Sequence, residues 1–204
     1  MELQHINAKL LVKHFAGDSA EGNLEPLIPI FHGWIKERAF GELLLDIADY
    51  RHVPAGPGVV LIGQAADYGV DNTDNRWGVR YNRKAALDGS NLDRLRQAAR
   101  AALVACQRLE AEPRLAGKLT FNGREIEFVV NDRMLAPNLP ATRELLRPEF
   151  DAFFRKLLSE VYRELGSEAP DELAESIKYQ PERAEVLPPS SYLKVVPDGR
   201  ETSY

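Results

Sequence analysis

The sequence predicts an α+β fold, with a mixed or largely antiparallel sheet of five to seven strands and about three helices packed on it. Short apolar or alternating runs of strand length occur at residues 6–13, 43–48, 59–63 and 77–82. Helical spacing of apolar residues dominates 92–112 and 149–165. We expect residues 1–165 to form a single domain and residues 166–204 to form a proline-rich C-terminal tail or arm.

The N-terminal half alternates strands with a helix and polar loops. Residues 6–13 alternate as a half-buried strand, and Asn23 with Pro26 begins a helix that ends near Arg38. The apolar run 43–48 is typical of a central strand covered on both faces. Strands at 59–63 and 77–82 follow, with a loop between them.

The C-terminal half has the clearest local signals. Ser90 or Asn91 is expected to cap the helix 92–112, and Pro148 to lie in the first turn of the helix 149–165. Asn122-Gly123, between strand-like runs, predicts a β-hairpin. In the tail, the sequence predicts a short helix at 171–179 and an edge strand at 192–196, pairing with its own sheet or with a second subunit.

Composition narrows the function classes. The 204 residues carry a net charge of −5, with 26 Lys and Arg against 31 Asp and Glu, so nucleic-acid binding is not expected. Apolar runs are too short to span a membrane, and the N-terminus does not resemble a signal peptide. With a single cysteine, Cys106, an internal disulfide is impossible, which fits a cytoplasmic protein.

Carboxylates and imidazoles gather near the predicted strand ends. Asp49, His52 and Asp67 are the candidate metal ligands or acid–base groups, since such side chains fit Zn, Mn or Fe sites. Their spacing matches no named metal motif, and salt bridges and turn caps are the favoured alternative. The sequence therefore identifies neither a metal nor a cofactor.

Other polar residues are candidates for binding a small anionic ligand. Arg80 or Arg133 is expected to orient an anionic substrate, and Asp46, expected inside a strand, needs Arg80 or Arg83 as a partner. The full set of candidate ligand-binding residues is His32, Tyr50, Arg80, Arg83, Asn131 and Arg133.

Five segments resemble those of an uncharacterised family of bacterial proteins. They are IFHGWI at 30–35, ADYRH at 48–52, GPGV at 56–59, RYNRK at 80–84 and NDR at 131–133. The resemblance covers about residues 5–160. It implies a bacterial origin and carries no activity, fold or catalytic residue.

Two hypotheses of function follow. The first is a binding or assembly module with a polar loop cluster, self-associating as a homo-oligomer through the tail or a sheet edge. The second is a metal-assisted hydrolase or lyase acting on a small anionic substrate. An enzyme needs these side chains to converge on one open pocket, whereas a binding module can leave them as separate salt bridges and caps.

Overall fold

The computed structural model describes residues 1–15, 24–115, 117–132, 134–166, 177–179 and 193–197. Within these ranges the strands are β1 (Ile6–Phe15), β2 (Leu44–Tyr50), β3 (Gly58–Gly63), β4 (Ala66–Asp71), β5 (Gly78–Arg83), β6 (Leu119–Val130), β7 (Ile177–Tyr179) and β8 (Leu193–Pro197). The helices are α1 (Leu27–Glu37), α2 (Asn91–Glu110), α3 (Pro140–Ala152) and α4 (Leu158–Glu164), with one π-helical turn, Phe153–Leu157, joining α3 to α4. No helix in the described ranges is long and apolar enough to cross a membrane.

The strands lie in the order β2-β3-β4-β5-β1-β6-β8-β7. Neighbours from β2 to β5 pair antiparallel, as do β6 with β8 and β8 with β7. The predicted α+β fold with a largely antiparallel sheet and three helical segments is therefore confirmed. Six of these strands come from residues 6–130, and the tail contributes the two short strands β7 and β8.

The chain divides into two compact units. The central unit comprises Lys9–Ala85 and Ala101–Asn122, and the terminal unit comprises Met1–Ala8, Ala86–Arg100 and Gly123–Tyr204. The elements β1, α2 and β6 each contribute residues to both units.

The core of the central unit lies between α1 and one face of the β2–β5 meander. The buried stripe of α1 is Leu27, Ile30, Phe31 and Trp34. An aromatic series continues from this helix to the sheet, with Phe40 stacked on Tyr68 at 4.2 Å between ring centroids and Tyr68 edge-on to Tyr81. Such stacked and edge-to-face pairs add to the stability that burial supplies.

The terminal unit has its own apolar core and a well-capped helix. The side chains of Ser90 and Asp93 hydrogen-bond each other and each other's backbone N–H, which closes a capping box at the start of α2. The prediction that Ser90 or Asn91 caps this helix is confirmed. The rings of Phe128, Phe153 and Phe154 pack edge to face between β6 and the last helical segment.

The predicted central strand is instead an edge strand. The order of the sheet places β2 at one end, and Leu45 keeps 54% of its surface exposed. Its continuous apolar run resembles a strand buried on both faces, but only Leu44 is fully buried. The prediction of a central strand was wrong because several of these apolar side chains face solvent, which the sequence does not show.

The loop predicted between residues 64 and 75 contains a strand. Ala66–Asp71 forms β4, which pairs with β3 and β5 through registers such as Leu61 with Tyr68 and Gly69 with Arg80. Glycine and aspartate have a low intrinsic strand propensity. Here the pairing of β4 with a strand on each side outweighs that low propensity.

Two local signals in the C-terminal half were also misread. The predicted hairpin at residues 122–123 is absent, because Leu119–Val130 runs as one strand between β1 and β8. An Asn-Gly pair permits a turn without requiring one, and here sheet pairing continues through it. Pro148 lies inside α3, which already begins at Pro140.

The tail pairs with its own sheet. The edge strand predicted at 192–196 is observed as β8, Leu193–Pro197, but it is not an edge strand, because it pairs antiparallel with both β6 and β7. The short helix predicted at 171–179 is not formed at Ile177–Tyr179, which is strand, and the rest of that prediction lies outside the described residues.

Candidate functional site

The meander of the central unit has a second face, opposite α1, which we call the polar face. Residues directly opposite each other on antiparallel strands point to the same side of the sheet. The registers therefore place these residues on it: Asp46, Ala48 and Tyr50 of β2, Gly58, Val60 and Ile62 of β3, Asp67, Gly69 and Asp71 of β4, and Gly78, Arg80 and Asn82 of β5.

A buried ion cluster lies at one end of this face, around Asp71, which is only 1% exposed. Its Oδ1 is ion-paired with the ammonium of Lys9, which is also buried, and accepts a hydrogen bond from the N–H of Thr73 at 3.3 Å. Its Oδ2 accepts from Nη1 of Arg80 at 3.3 Å. The carboxylate is thus compensated by two cations, as a buried charge requires.

A glycine on β5 makes room for this cluster. A Cβ added at Gly78 would lie 2.6 Å from Cε of Lys9 and 2.7 Å from the carbonyl oxygen of Leu10. No side chain fits there without displacing the lysine stem. Gly78 therefore lets Lys9 pass β5 to reach Asp71, since these two glycine and aspartate positions are directly opposite in the register.

Asp67 forms a second ion pair, which is more exposed than the Asp71 cluster. Its Oδ1 lies 2.6 Å from Nζ of Lys84, which also donates to the carbonyl oxygen of Gly63 at 2.6 Å. The backbone N–H of Gly63 donates to the same carboxylate at 3.3 Å, and Nδ2 of Asn82 at 3.4 Å. Asp67 acts here as a tie between the β3–β4 turn and the end of β5.

Asp49 is bound by its neighbour Arg51 at the end of β2. Nε and Nη2 of Arg51 donate to the two carboxylate oxygens at 2.9 and 2.7 Å, and the Arg51 N–H donates to Oδ1 at 3.1 Å. The side-chain bond, followed by the backbone bond, lowers the pKa of the exposed Asp49 carboxyl from 3.8 to about 2. His52 follows in the exposed turn.

Two of the candidate catalytic residues, Asp49 and Asp67, lie near opposite ends of strand β3. Asp49 is opposite Val59 of β3, whereas Asp67 is opposite Ile62, three residues further along the same strand. That separation is about 10 Å along the strand, with β3 also lying between the two. The turn carrying His52 lies instead beside the loop after Asp71, where the N–H of Asn72 donates to the carbonyl oxygen of Gly56 at 2.9 Å.

No group of three or more His, Cys, Asp and Glu side chains in the described ranges is arranged to hold a metal ion. The carboxylates of Asp49 and Asp67 are bound by Arg51 and Lys84, as the alternative of salt bridges and caps anticipates.

The candidate ligand-binding residues are dispersed. His32 is exposed on α1, Tyr50 is exposed at the end of β2, and Asn131 is exposed after β6, with its N–H donating to the carbonyl oxygen of His5. Nε of Arg83 donates to the carbonyl oxygen of Ala85 at 2.7 Å. Arg80 alone of the set belongs to the Asp71 cluster, and Arg133 lies outside the described residues.

The expected partner of Asp46 is not an arginine. Asp46 is exposed, and its Oδ1 accepts a hydrogen bond from the N–H of Ile47 at 2.8 Å. Because β2 is an edge strand, this carboxylate stays in water and needs no buried cation. Arg80 pairs with Asp71 instead.

Sequence reasoning missed two polar contacts. Lys9 is a charged residue in an alternating strand, a pattern that predicts an exposed side chain, and only the gap left by Gly78 shows that it is buried. The second contact joins Tyr68 to Glu42, with the phenol donating to Oε1 at 2.5 Å. Burial, and then this carboxylate, raise the pKa of Tyr68 well above its ordinary value.

The outer edge of β2 is uncovered, since no described strand pairs with it. Leu45 and Tyr50 of this strand are exposed, as is Leu43 just before it. A register shift between Leu44 and Asp46 marks a β-bulge, so the regular part of the strand is Asp46–Tyr50.

Comparison with known proteins gives no guide to this site: no protein-family model, no curated protein and no solved structure matches the chain.

Proposed function

We propose that the protein is a non-catalytic binding and assembly module that self-associates through an open edge of its sheet. The observation that carries this proposal is the exposed edge itself, where Leu45 and Tyr50 border backbone that no described strand covers. Uncovered sheet edges bind extended chains, and exposed apolar side chains beside them supply the buried area that such binding needs.

The candidate acid–base residues support this choice over the hydrolase alternative. Asp49 and Asp67 are each held in an ion pair, and they lie near opposite ends of strand β3. A reaction centre needs a base and a ligand position that converge on one substrate atom. The polar face then serves binding, with Arg80, on the more exposed side of the Asp71 cluster, contacting an anionic group of a ligand.

Sedimentation of the full chain over about a hundredfold range of concentration tests the proposal. We expect the mean mass to rise towards an oligomer as concentration rises. A monomer throughout, or a stoichiometric divalent metal that is lost in the His52→Ala variant, would contradict it. A cytoplasmic location is part of the same proposal, and the buried thiol of Cys106, whose pKa burial raises, is compatible with it.

A further inference from the structure

The backbone N–H and C=O groups of β2 point alternately towards β3 and towards the open edge of the sheet. The N–H of Ile47 donates to Oδ1 of the exposed Asp46 side chain, which places this N–H on the open side of β2. Neighbouring residues in an antiparallel strand alternate between bonding one side and the other. The N–H and C=O groups of Ile47 and Asp49 therefore point to the outer edge, and those of Asp46, Ala48 and Tyr50 point towards β3.

We propose that a second copy of the chain pairs antiparallel with this edge, β2 against β2, about a twofold axis through Ala48. The regular part of the strand after the bulge is Asp46–Tyr50, and Ala48 is its middle residue, so this register uses all of it in both copies. The inference rests on the proposed function and names its partner and geometry.

The register about Ala48 satisfies the outward backbone groups. It places Ile47 of one copy opposite Asp49 of the other, and both residues have their N–H and C=O directed outward. Each such pair exchanges two hydrogen bonds, so the twofold axis generates four. A register about Ile47 would place Asp49 opposite the bulged Leu45, and one about Asp49 would set two carboxylates against each other.

The side chains of the polar face are complementary in the same register. Tyr50 of each copy is directly opposite Asp46 of the other, so that each phenol O–H can donate to a carboxylate. Pairing takes the Ile47 N–H into the ladder, which releases the Asp46 oxygen that now accepts from it. Charge repulsion near the axis is limited because each Asp49 already carries Arg51 on its two oxygens.

The second copy is favoured over a chain of unrelated sequence because both halves of this complementarity come from one strand. A twofold axis perpendicular to the sheet also keeps the polar faces of both copies on the same side and closes the assembly as a dimer. Five residues per copy form less than a standard interface of about 800 Å² per partner, so we expect a weak dimer that concentration controls.

An Ala48→Cys variant tests the register in the full chain. Ala48 faces its own copy in a non-hydrogen-bonded position, where Cα atoms lie about 4.5 Å apart, within the range that a disulfide spans. We expect a covalent dimer under mild oxidation, several-fold faster than in a Leu145→Cys control on α3, where the native side chain is 58% exposed. The native Cys106 is buried and does not compete.

A Leu45→Lys variant tests the edge independently of any disulfide. A lysine beside an edge strand opposes pairing, and Leu45 is exposed, so the fold tolerates the change. We expect the dissociation constant of the dimer to rise about tenfold or more, with no change for Leu145→Lys, which replaces an equally exposed leucine in the other unit.

The outcomes separate this inference from the proposed function. A dimer that ignores Leu45→Lys and does not cross-link in Ala48→Cys would leave assembly standing and overturn pairing through β2. Species larger than a dimer would indicate that β2 pairs with a different edge of the next copy, which overturns the twofold geometry. A monomer at every concentration would overturn both proposals.

Discussion

The carboxylate of Asp71 and the ammonium of Lys9 are ion-paired while both are almost fully buried, and the missing side chain of Gly78 leaves the space that the lysine stem occupies. Arg80 completes the cluster from the more exposed side, at 3.3 Å. This cluster joins β4 and β5 to β1. It lies at the end of the polar face where the loops after β2 and β4 contact each other.

Removing one partner of the buried pair should be costly. In an Asp71→Asn variant, Lys9 keeps its charge without a compensating carboxylate, so we expect the free energy of unfolding to fall by about 3 kcal/mol or more. Denaturant unfolding measures it. The matched control is Asp67→Asn, whose partner Lys84 is more exposed, and there we expect a loss of about 1 kcal/mol or less. Equal losses would show that burial of the Asp71 cluster has no energetic weight.

The space beside Lys9 can be tested at Gly78. A Gly78→Ala methyl group would lie against the lysine stem and the Leu10 carbonyl oxygen, so we expect destabilisation by about 1–3 kcal/mol. Gly33, inside α1, is the control, because an added Cβ there meets only Nη2 of Arg114 at an ordinary 3.7 Å. Gly33→Ala should stabilise the helix by up to about 1 kcal/mol. Thermal unfolding of both variants gives the comparison, and a tolerated Gly78→Ala would refute the packing described here.

These contacts show which parts of the structure could be predicted from the sequence. The period of the apolar residues predicted α1 and α2, because an amphipathic stripe is a local property. The position of β2 at the sheet edge was not predictable, since Leu43, Leu44 and Leu45 look alike in sequence and only strand order decides which are exposed.

The site was harder to predict than the fold, for a physical reason. Lys9 and Asp71 are 62 positions apart, and their contact depends on strand order and on the missing side chain of Gly78. The loop cluster was partly anticipated, because the His52 turn and the loop after Asp71 do lie side by side. Asp67 was grouped with them only because strand β4 was read as a loop.

The Asp49–Arg51 pair predicts a pH dependence. The pKa of Asp49 is about 2 in the folded chain, below its ordinary 3.8. A carboxyl whose pKa falls on folding stabilises the fold above its unfolded pKa, and this contribution is lost as pH falls from about 4 to about 2. Titration followed by carboxyl-carbon NMR should give the low value. In Arg51→Gln the pKa should rise towards 3.8 without reaching it, because the backbone N–H bond remains; an unchanged pKa would contradict the assignment.

The buried phenol of Tyr68 offers a further test. In Tyr68→Phe, Glu42 loses its hydrogen-bond donor, and its Oε2 is already buried without a partner among the described residues. We expect the free energy of unfolding to fall by about 1–3 kcal/mol, measured by denaturant at low protein concentration. Tyr50→Phe, at an exposed tyrosine, should change it by less than about 0.5 kcal/mol. An unchanged free energy of unfolding in Tyr68→Phe would show that the hydrogen bond to Glu42 does not contribute to stability.

Amide hydrogen exchange at Asp49, followed by NMR as the protein is concentrated, tests the assembly of β2 edges most directly. The N–H of Asp49 points outward from β2 and, in the dimer, donates to the carbonyl oxygen of Ile47 in the other copy. We expect its exchange to slow as the dimer forms, while the exposed Asn131 side chain, remote in sequence from β2, keeps its resonances unchanged. Exchange at Asp49 that is independent of concentration, in a sample that sedimentation shows to be dimeric, would contradict pairing through this edge.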